Sequence, residues 1–324
     1  MSSFQPPPSD PIPQDMKDAL RKFGTDAERI VSTFASVLES YHPEPIIYHY
    51  TNDVGLRGII ESGCLWLTNI FDLNDPSELR HSLRHAVDIL QKKAQNGPPE
   101  SKLFARDFGS LDKVMERVGH IFTCSFSERG DDLGQWRAYA DNGRGYALGF
   151  DTDLLERAFG AAGRTATSNN GAFPVTYRDS SLDDLHTQLI DHMFDLISLP
   201  HGRGLPVQAI LAYMVELSVA LAANVLHAGL FFKHEAYSNE KEYRFLEVHR
   251  ADAPPPIKQR VRGYSLVSYR EFDWERTVPS ALRKIVIGPA ATLNVAEEFA
   301  KGCLRDFGIT CVDLTRSEIP YRDS

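Results

Sequence analysis

Two periodicities alternate along the chain. From Asp15 to Tyr41 the apolar positions Leu20, Phe23, Ala27, Ile30, Phe34 and Leu38 recur in steps of three and four, which is one face of a helix. The pattern changes at Pro45. Residues 46–50 read as a strand, Thr51-Asn52-Asp53 as a turn, and Leu56, Ile59 and Ile60 as the buried stripe of a short helix. Thr51 or Asn52 is placed to cap that helix, and Gly63 to take the left-handed position behind it, before a strand at 65–68. Asp75-Pro76-Ser77-Glu78 has the form of a capping box with proline in the first turn, opening a helix to about 93. Another helix is predicted over about 102–117.

Residues 119–127 alternate strictly: Ile121, Thr123, Ser125 and Ser127 face one way, and Phe122, Cys124 and Phe126 the other. A short helix at 135–139, a turn at 142–145, a strand at 146–150 and a helix to 159 come next. A loop at 160–172 and a strand at 173–177 lead into two long helices, about 182–199 and 206–229. Beyond a connector at 231–239, strands are predicted at 242–249, 264–269, 284–287 and 309–314, with a helix at 295–307. Seven to nine strands and at least six helices, without regular βα alternation, predict an α+β fold. The expected organisation is a proline-rich leader at 1–14, a helical extension at 15–44, and one α+β domain at 45–320 with a helical insertion at about 181–230.

Composition narrows the function classes. With 42% hydrophobic residues in 324, the chain can bury a sizeable core. A net charge of -9 argues against broad clamping of nucleic acid, because no excess of cations exists to neutralise phosphates. The four cysteines lack zinc-site spacing and read as reduced residues of a cytoplasmic protein. No secretory signal opens the sequence. The apolar stretch 205–232 carries Glu216, Asn224 and His227, so a buried helix is expected and no membrane partner. Neither a GxGxxG nor a Walker loop is present. His81 and His85 sit four apart on a helix without the glutamate a zinc hydrolase uses, so they are expected to be solvated and no metal site is assigned.

Three separated pieces carry candidate chemistry. His49-Tyr50-Thr51 ends a strand beside helix amides suited to a sugar hydroxyl or phosphate. The hydroxyl face of the 119–127 strand supplies Ser125 and Ser127. In the Asn239–Arg244 stretch, extension would point Glu240 and Glu242 the same way, with Arg244 anchoring Glu242. Trp136 and Tyr139 form an aromatic edge on a helix, and Arg57, Arg137 and Arg144 are candidate pyrophosphate ligands. Plain alternatives stand beside each: strand residues with satisfied hydrogen bonds, a surface ion-pair cluster, and core packing.

The pieces HYT, LxxIIESGxLWLTN, FDLNDPSE, CSFSERGDDLGQWRAYADNGRGYALGF and NEKEYRF, spread from His49 to about Tyr321, resemble DUF2971, a bacterial family of uncharacterised proteins. HYT followed by a short helix, ESG and a strand also resembles the opening of ADP-ribosyltransferase-like domains. That second resemblance implies a split mixed sheet with NAD bound as substrate in its cleft. His49 would hold the ribose, Ser125 or Ser127 would order the pocket, and Glu242 would stabilise an oxocarbenium-like state. Glu240 would activate an acceptor (protein, nucleic acid or small molecule), and Tyr50, Thr51, Trp136, Arg137 and Tyr139 would complete the NAD site. Two other classes stay open. A noncatalytic nucleotide-binding or protein-interaction module would hold Glu242 turned away or locked to Arg244. A metal-dependent nuclease would need Glu128, Asp131 and Asp132 to converge on an ion.

Overall fold

The computed structural model describes residues 11–73, 77–108, 120–163, 168–250 and 252–320. In chain order its first elements are α1 (Gln14–Glu39), β1 (Ile46–Thr51), α2 (Asp53–Ser62), β2 (Cys64–Asn69), α3 (Ser77–Gln95) and α4 (Pro99–Asp107). Next come β3 (His120–Ser127), α5 (Leu133–Tyr139), β4 (Tyr146–Asp151), α6 (Thr152–Gly163), β5 (Ser168–Pro174), α7 (Asp179–Phe194) and α8 (Val207–Gly229). The last are β6 (Glu242–His249), β7 (Lys258–Arg262), β8 (Ser265–Asp273), α9 (Trp274–Thr277), β9 (Leu282–Ile287), α10 (Leu293–Asp306) and β10 (Asp313–Arg316).

The chain divides into two compact units, one drawn from 1–36, 77–118 and 178–232, the other from 37–76, 119–177 and 233–324. The N-terminal helix and the insertion, expected as separate attachments to one domain, therefore fall in the same helical unit, together with α3 and α4. Its centre is α8, which buries Tyr213, Leu217, Leu221 and Val225 and packs on α3 and α7. Among the described residues α8 alone is long and apolar enough, by composition, to cross a membrane. On α1 the buried stripe is Met16, Phe23, Ala27 and Val31, and Phe34 stacks on Phe232 at 5.1 Å.

The second unit is built on an open mixed sheet in the order β10-β9-β4-β1-β3-β2-β8-β7, with β6 pairing β3 and β5. Every described pairing is antiparallel except β9 with β10. The architecture is α+β. One face carries the apolar rows, Ile47, Leu67, Phe122, Phe126, Leu148, Phe150 and Phe245 among them, in one cluster with Leu56, Ile60, Leu155, Phe159 and Ala300 of α2, α6 and α10. Each large side chain buried this way contributes about 1.5–3 kcal/mol. On the opposite face α5 covers a smaller cluster of Tyr50, Trp136, Ala140, Ala147 and Val286.

A fork in this sheet positions the site. β6 fills one edge of β3 from His120 to Ser127. The other edge is shared: Tyr48 of β1 lies opposite Ser127, whereas Thr68 and Asn69 of β2 lie opposite Thr123 and Phe122. Between those pairings, at Cys124–Phe126, β1 and β2 part. The helix joining them forms as its sequence dictates: Asn52 accepts from the Gly55 amide, and Gly63 closes the end with φ 63.

Several local expectations need correction. β5 begins at Ser168, inside the predicted loop, because pairing with β6 gives its Asn-Gly run a ladder. β7 was not predicted; its KQRVR sequence lacks apolar alternation and is a strand by virtue of its pairing with β8. The last strand is Asp313–Arg316, later than 309–314, since Gly308 and Cys311 both take positive φ. The predicted 231–239 connector contains a 3-10 turn at Glu235–Glu240. Residues 1–10 of the leader, the start of the Asp75 capping box, 109–117 of a predicted helix and 164–167 of the loop lie outside the described residues.

Candidate functional site

Cross-strand partners share a face, so the register sorts the candidates. Tyr48, Ser127 and Glu242 form one row, and Ser125 with Arg244 the next on the same polar face. His49 belongs to the other face, with Ile47 as its row-mate, Leu148 opposite, and the Phe126 ring 5.7 Å away. Imidazole and carboxylate therefore leave the sheet on opposite sides, and the single hollow expected of His49, a serine and Glu242 is not assembled. Ser125 links the two through its backbone. Its carbonyl accepts from His49 Nδ1 at 3.1 Å, while its hydroxyl donates to Glu242. That acceptor fixes the proton on Nδ1. Burial, reinforced by the charge of Arg260, lowers the pKa of the ring below its ordinary value.

Lys241 takes φ 46, and this turn, rather than plain extension, brings both glutamates onto one cation. Lys233 Nζ donates to Glu240 Oε2 at 2.6 Å and to Glu242 Oε2 at 3.2 Å. Arg244 grips Glu242 in a fork, Nε to Oε1 at 2.6 Å and Nη2 to Oε2 at 3.1 Å. Lys233, Glu242 and Arg244 are all buried. Burial pushes the Glu242 carboxyl up, but Arg244 and Lys233 together outweigh that and hold it below the usual carboxylate range. A carboxylate offers about four lone-pair positions; Arg244, Lys233 and the Ser125 hydroxyl occupy them. The anchoring by Arg244 follows from the two-residue spacing. Lys233 had no sequence signal, being an isolated lysine after an apolar helix.

The other predicted residues scatter into structural duties. The Ser127 hydroxyl donates to the Glu240 carbonyl at 2.6 Å. Tyr50 is buried, its hydroxyl donating to the Arg129 carbonyl and accepting from the Asp132 amide. Thr51 pairs with Tyr146 at the end of β1, beside a helix start whose amides are taken by Asn52 and Asp53. Trp136 is 0% exposed and donates to Asp131, so neither ring face can stack on a base. Tyr139 is exposed and reaches Glu240 at 3.5 Å, and Arg137 beside it is exposed. Arg57 pairs with Asp306 and lies over Phe307, while Arg144 is exposed in the turn before β4. Gly130 brings the 128–132 loop over Tyr48, where a Cβ would meet the ring at 2.4 Å.

Glu128, Asp131 and Asp132 do not converge. Glu128 accepts from Tyr41, Asp131 from Trp136, Ser317 and the Glu318 amide, and Asp132 caps α5. Among the described residues no cluster of three or more His, Cys, Asp or Glu is arranged to hold a metal. His85 is not solvated: it lies 3.0 Å from His186 Nδ1 and 2.7 Å from Asp183, and Ser82 continues the chain to the buried His186.

At the far end of the polar face, the Trp66 ring packs tilted against Tyr269 with centroids 4.4 Å apart, and Arg260 lies over the indole at 5.2 Å. Arg260 Nη2 reaches Thr68 Oγ1 at 3.5 Å. Thr68 faces Thr123, which is two residues from the exposed Ser125.

Residues 135–245 match the family model described as protein of unknown function DUF2971. That stretch is similar to DUF2971. It runs from α5 into β6 and so contains Tyr139, Lys233, Glu240, Glu242 and Arg244, the whole of the Glu242 ion-pair network. No curated protein and no solved structure matches the chain, so the ADP-ribosyltransferase resemblance gains no support from that side.

Proposed function

We propose that the chain is a noncatalytic binding module that takes a nucleotide-class ligand on the polar face of its forked sheet. The observation that carries this is the saturation of Glu242. To hydrogen-bond a ribose hydroxyl it would have to give up a charge-assisted hydrogen bond from buried Arg244 or Lys233. The same face offers the exposed residue Ser125, a part-exposed indole at Trp66 and Arg260 over its ring, a set that suits a base, a sugar and an anionic group.

A second reading keeps NAD as a substrate. It draws on the Ser125–Glu242 hydrogen bond, which joins two residues of the resemblance, and on Glu240, whose carboxylate adjoins the exposed Tyr139. In that case Glu242 would exchange Lys233 for the ribose and stabilise positive charge as nicotinamide leaves.

Equilibrium binding of NAD, with recovery of the bound molecule, separates the two. Saturable binding with NAD recovered intact is the expected result. Conversion to nicotinamide favours the second reading, and absence of binding by NAD, ADP and adenosine alike removes both.

A further inference from the structure

Two polar atoms on this face are buried without a hydrogen-bond partner: Arg260 Nε and Thr123 Oγ1. Thr123 is 4% exposed. They flank the same residue, since Thr68 accepts from Arg260 Nη2 and is the cross-strand neighbour of Thr123. Native proteins leave few buried groups unmatched, because each costs the desolvation it cannot recover. Both orphans can donate, an N–H and an O–H, so what they lack is an acceptor.

Among the described residues no ion pair joins Arg260 to a carboxylate. The charge of Arg262, which donates to the Asp72 carbonyl, acts on it instead. Glu271 is taken by Lys258, and Glu240 and Glu242 by Lys233 and Arg244. Once these pairs cancel, and with Asp72, which accepts from the Ser268 amide, set against one arginine, Arg260 and Arg262 leave one positive charge in a chain of net charge -9. Arg260 lies instead over the ring of Trp66, an arrangement that leaves N–H groups of the guanidinium for an oxyanion.

We infer that Arg260, Thr68 and Thr123 seat the phosphate of the ligand, with Trp66 beside it for the base. This rests on the nucleotide reading above and adds where the anionic group goes. The ligand class is a nucleoside phosphate, and a nucleoside lacking phosphate forfeits the arginine.

The test uses the full chain and the emission of Trp66, since Trp136 and Trp274 are 0% exposed while Trp66 is 38% exposed. ADP, adenosine and inorganic phosphate are titrated separately. ADP is expected to bind at least about tenfold tighter than adenosine, corresponding to one charge-assisted contact. Arg260→Gln should bring ADP to the level of adenosine, and Thr68→Val should weaken ADP in the same direction. Equal affinities for ADP and adenosine, or an Arg260→Gln variant that binds ADP like the unsubstituted chain, overturn the phosphate seat while leaving nucleotide binding standing. Binding of inorganic phosphate that disappears in Arg260→Gln, with nothing gained from adenosine or ADP, retains the seat and removes the nucleotide. No response to any of the three removes both.

Discussion

Arg244 and Arg260 lie on the same face of one sheet in opposite circumstances. Arg244 is 5% exposed and gives two N–H groups to a carboxylate that a lysine and a serine also engage. Arg260 has a buried Nε with no acceptor, a weak contact to a threonine, and an indole beneath it. A network that closes on itself is complete without a ligand and serves the fold. One that is left open is complete only with a ligand. The acidic motif that looks most like chemistry in the sequence is the closed one.

The comparison breaks most visibly through stability. Arg244→Met leaves Glu242 as a buried anion short of two donors and is expected to cost about 3–5 kcal/mol, whereas Arg260→Met should cost less than about 1 kcal/mol. Urea unfolding of the two variants checks this, and equal losses would erase the distinction between them.

Acid is the next probe. Glu242 titrates below its unfolded value in the folded chain, so the stability it contributes is present above the ordinary carboxylate pKa and is lost as pH falls from there through the folded value of about 2. A second closed network, in the helical unit, responds earlier. Burial first, then the charge of His85, lower the His186 pKa to about 3 from 6.5. The unfolded chain therefore takes up this proton first, and stability declines as pH drops from 6.5 towards 3, at up to about 1.4 kcal/mol per unit. Melting temperatures followed from pH 7 to 4 should fall, and His186→Gln should flatten the upper part of that fall. An unchanged profile would mean the imidazole is not held neutral.

The smallest effect has the opposite sign. Thr123→Val keeps the shape and removes an unmatched hydroxyl, so it should raise stability by about 1 kcal/mol while weakening ADP. Calorimetric melting measures the first part. A destabilised valine variant would show that the hydroxyl already has a partner in solution.

Much of this was legible from patterning. Asn52 and Gly63 bound α2 as capping chemistry requires, and the alternation of residues 120–127 sorted Phe122 and Phe126 from Ser125 and Ser127. That same alternation, applied to both β1 and β6, already separates His49 from Glu242 once their registers against β3 are known. Registers are long-range facts, and no residue near His49 encodes the partner of Tyr48. Lys233 and Arg260 escaped for a related reason. Each acts through a residue distant in sequence or on another strand, and β7 lacks the apolar period that would have marked it as a strand.

The most direct test puts Glu242→Gln beside the unsubstituted chain and records two quantities, nicotinamide formed from NAD and the free energy of unfolding. The expected outcome is no nicotinamide from either and a loss of several kcal/mol of stability in the variant, as for a broken buried ion pair. Nicotinamide formed by the unsubstituted chain and abolished in an equally stable variant would contradict the structural role given to Glu242.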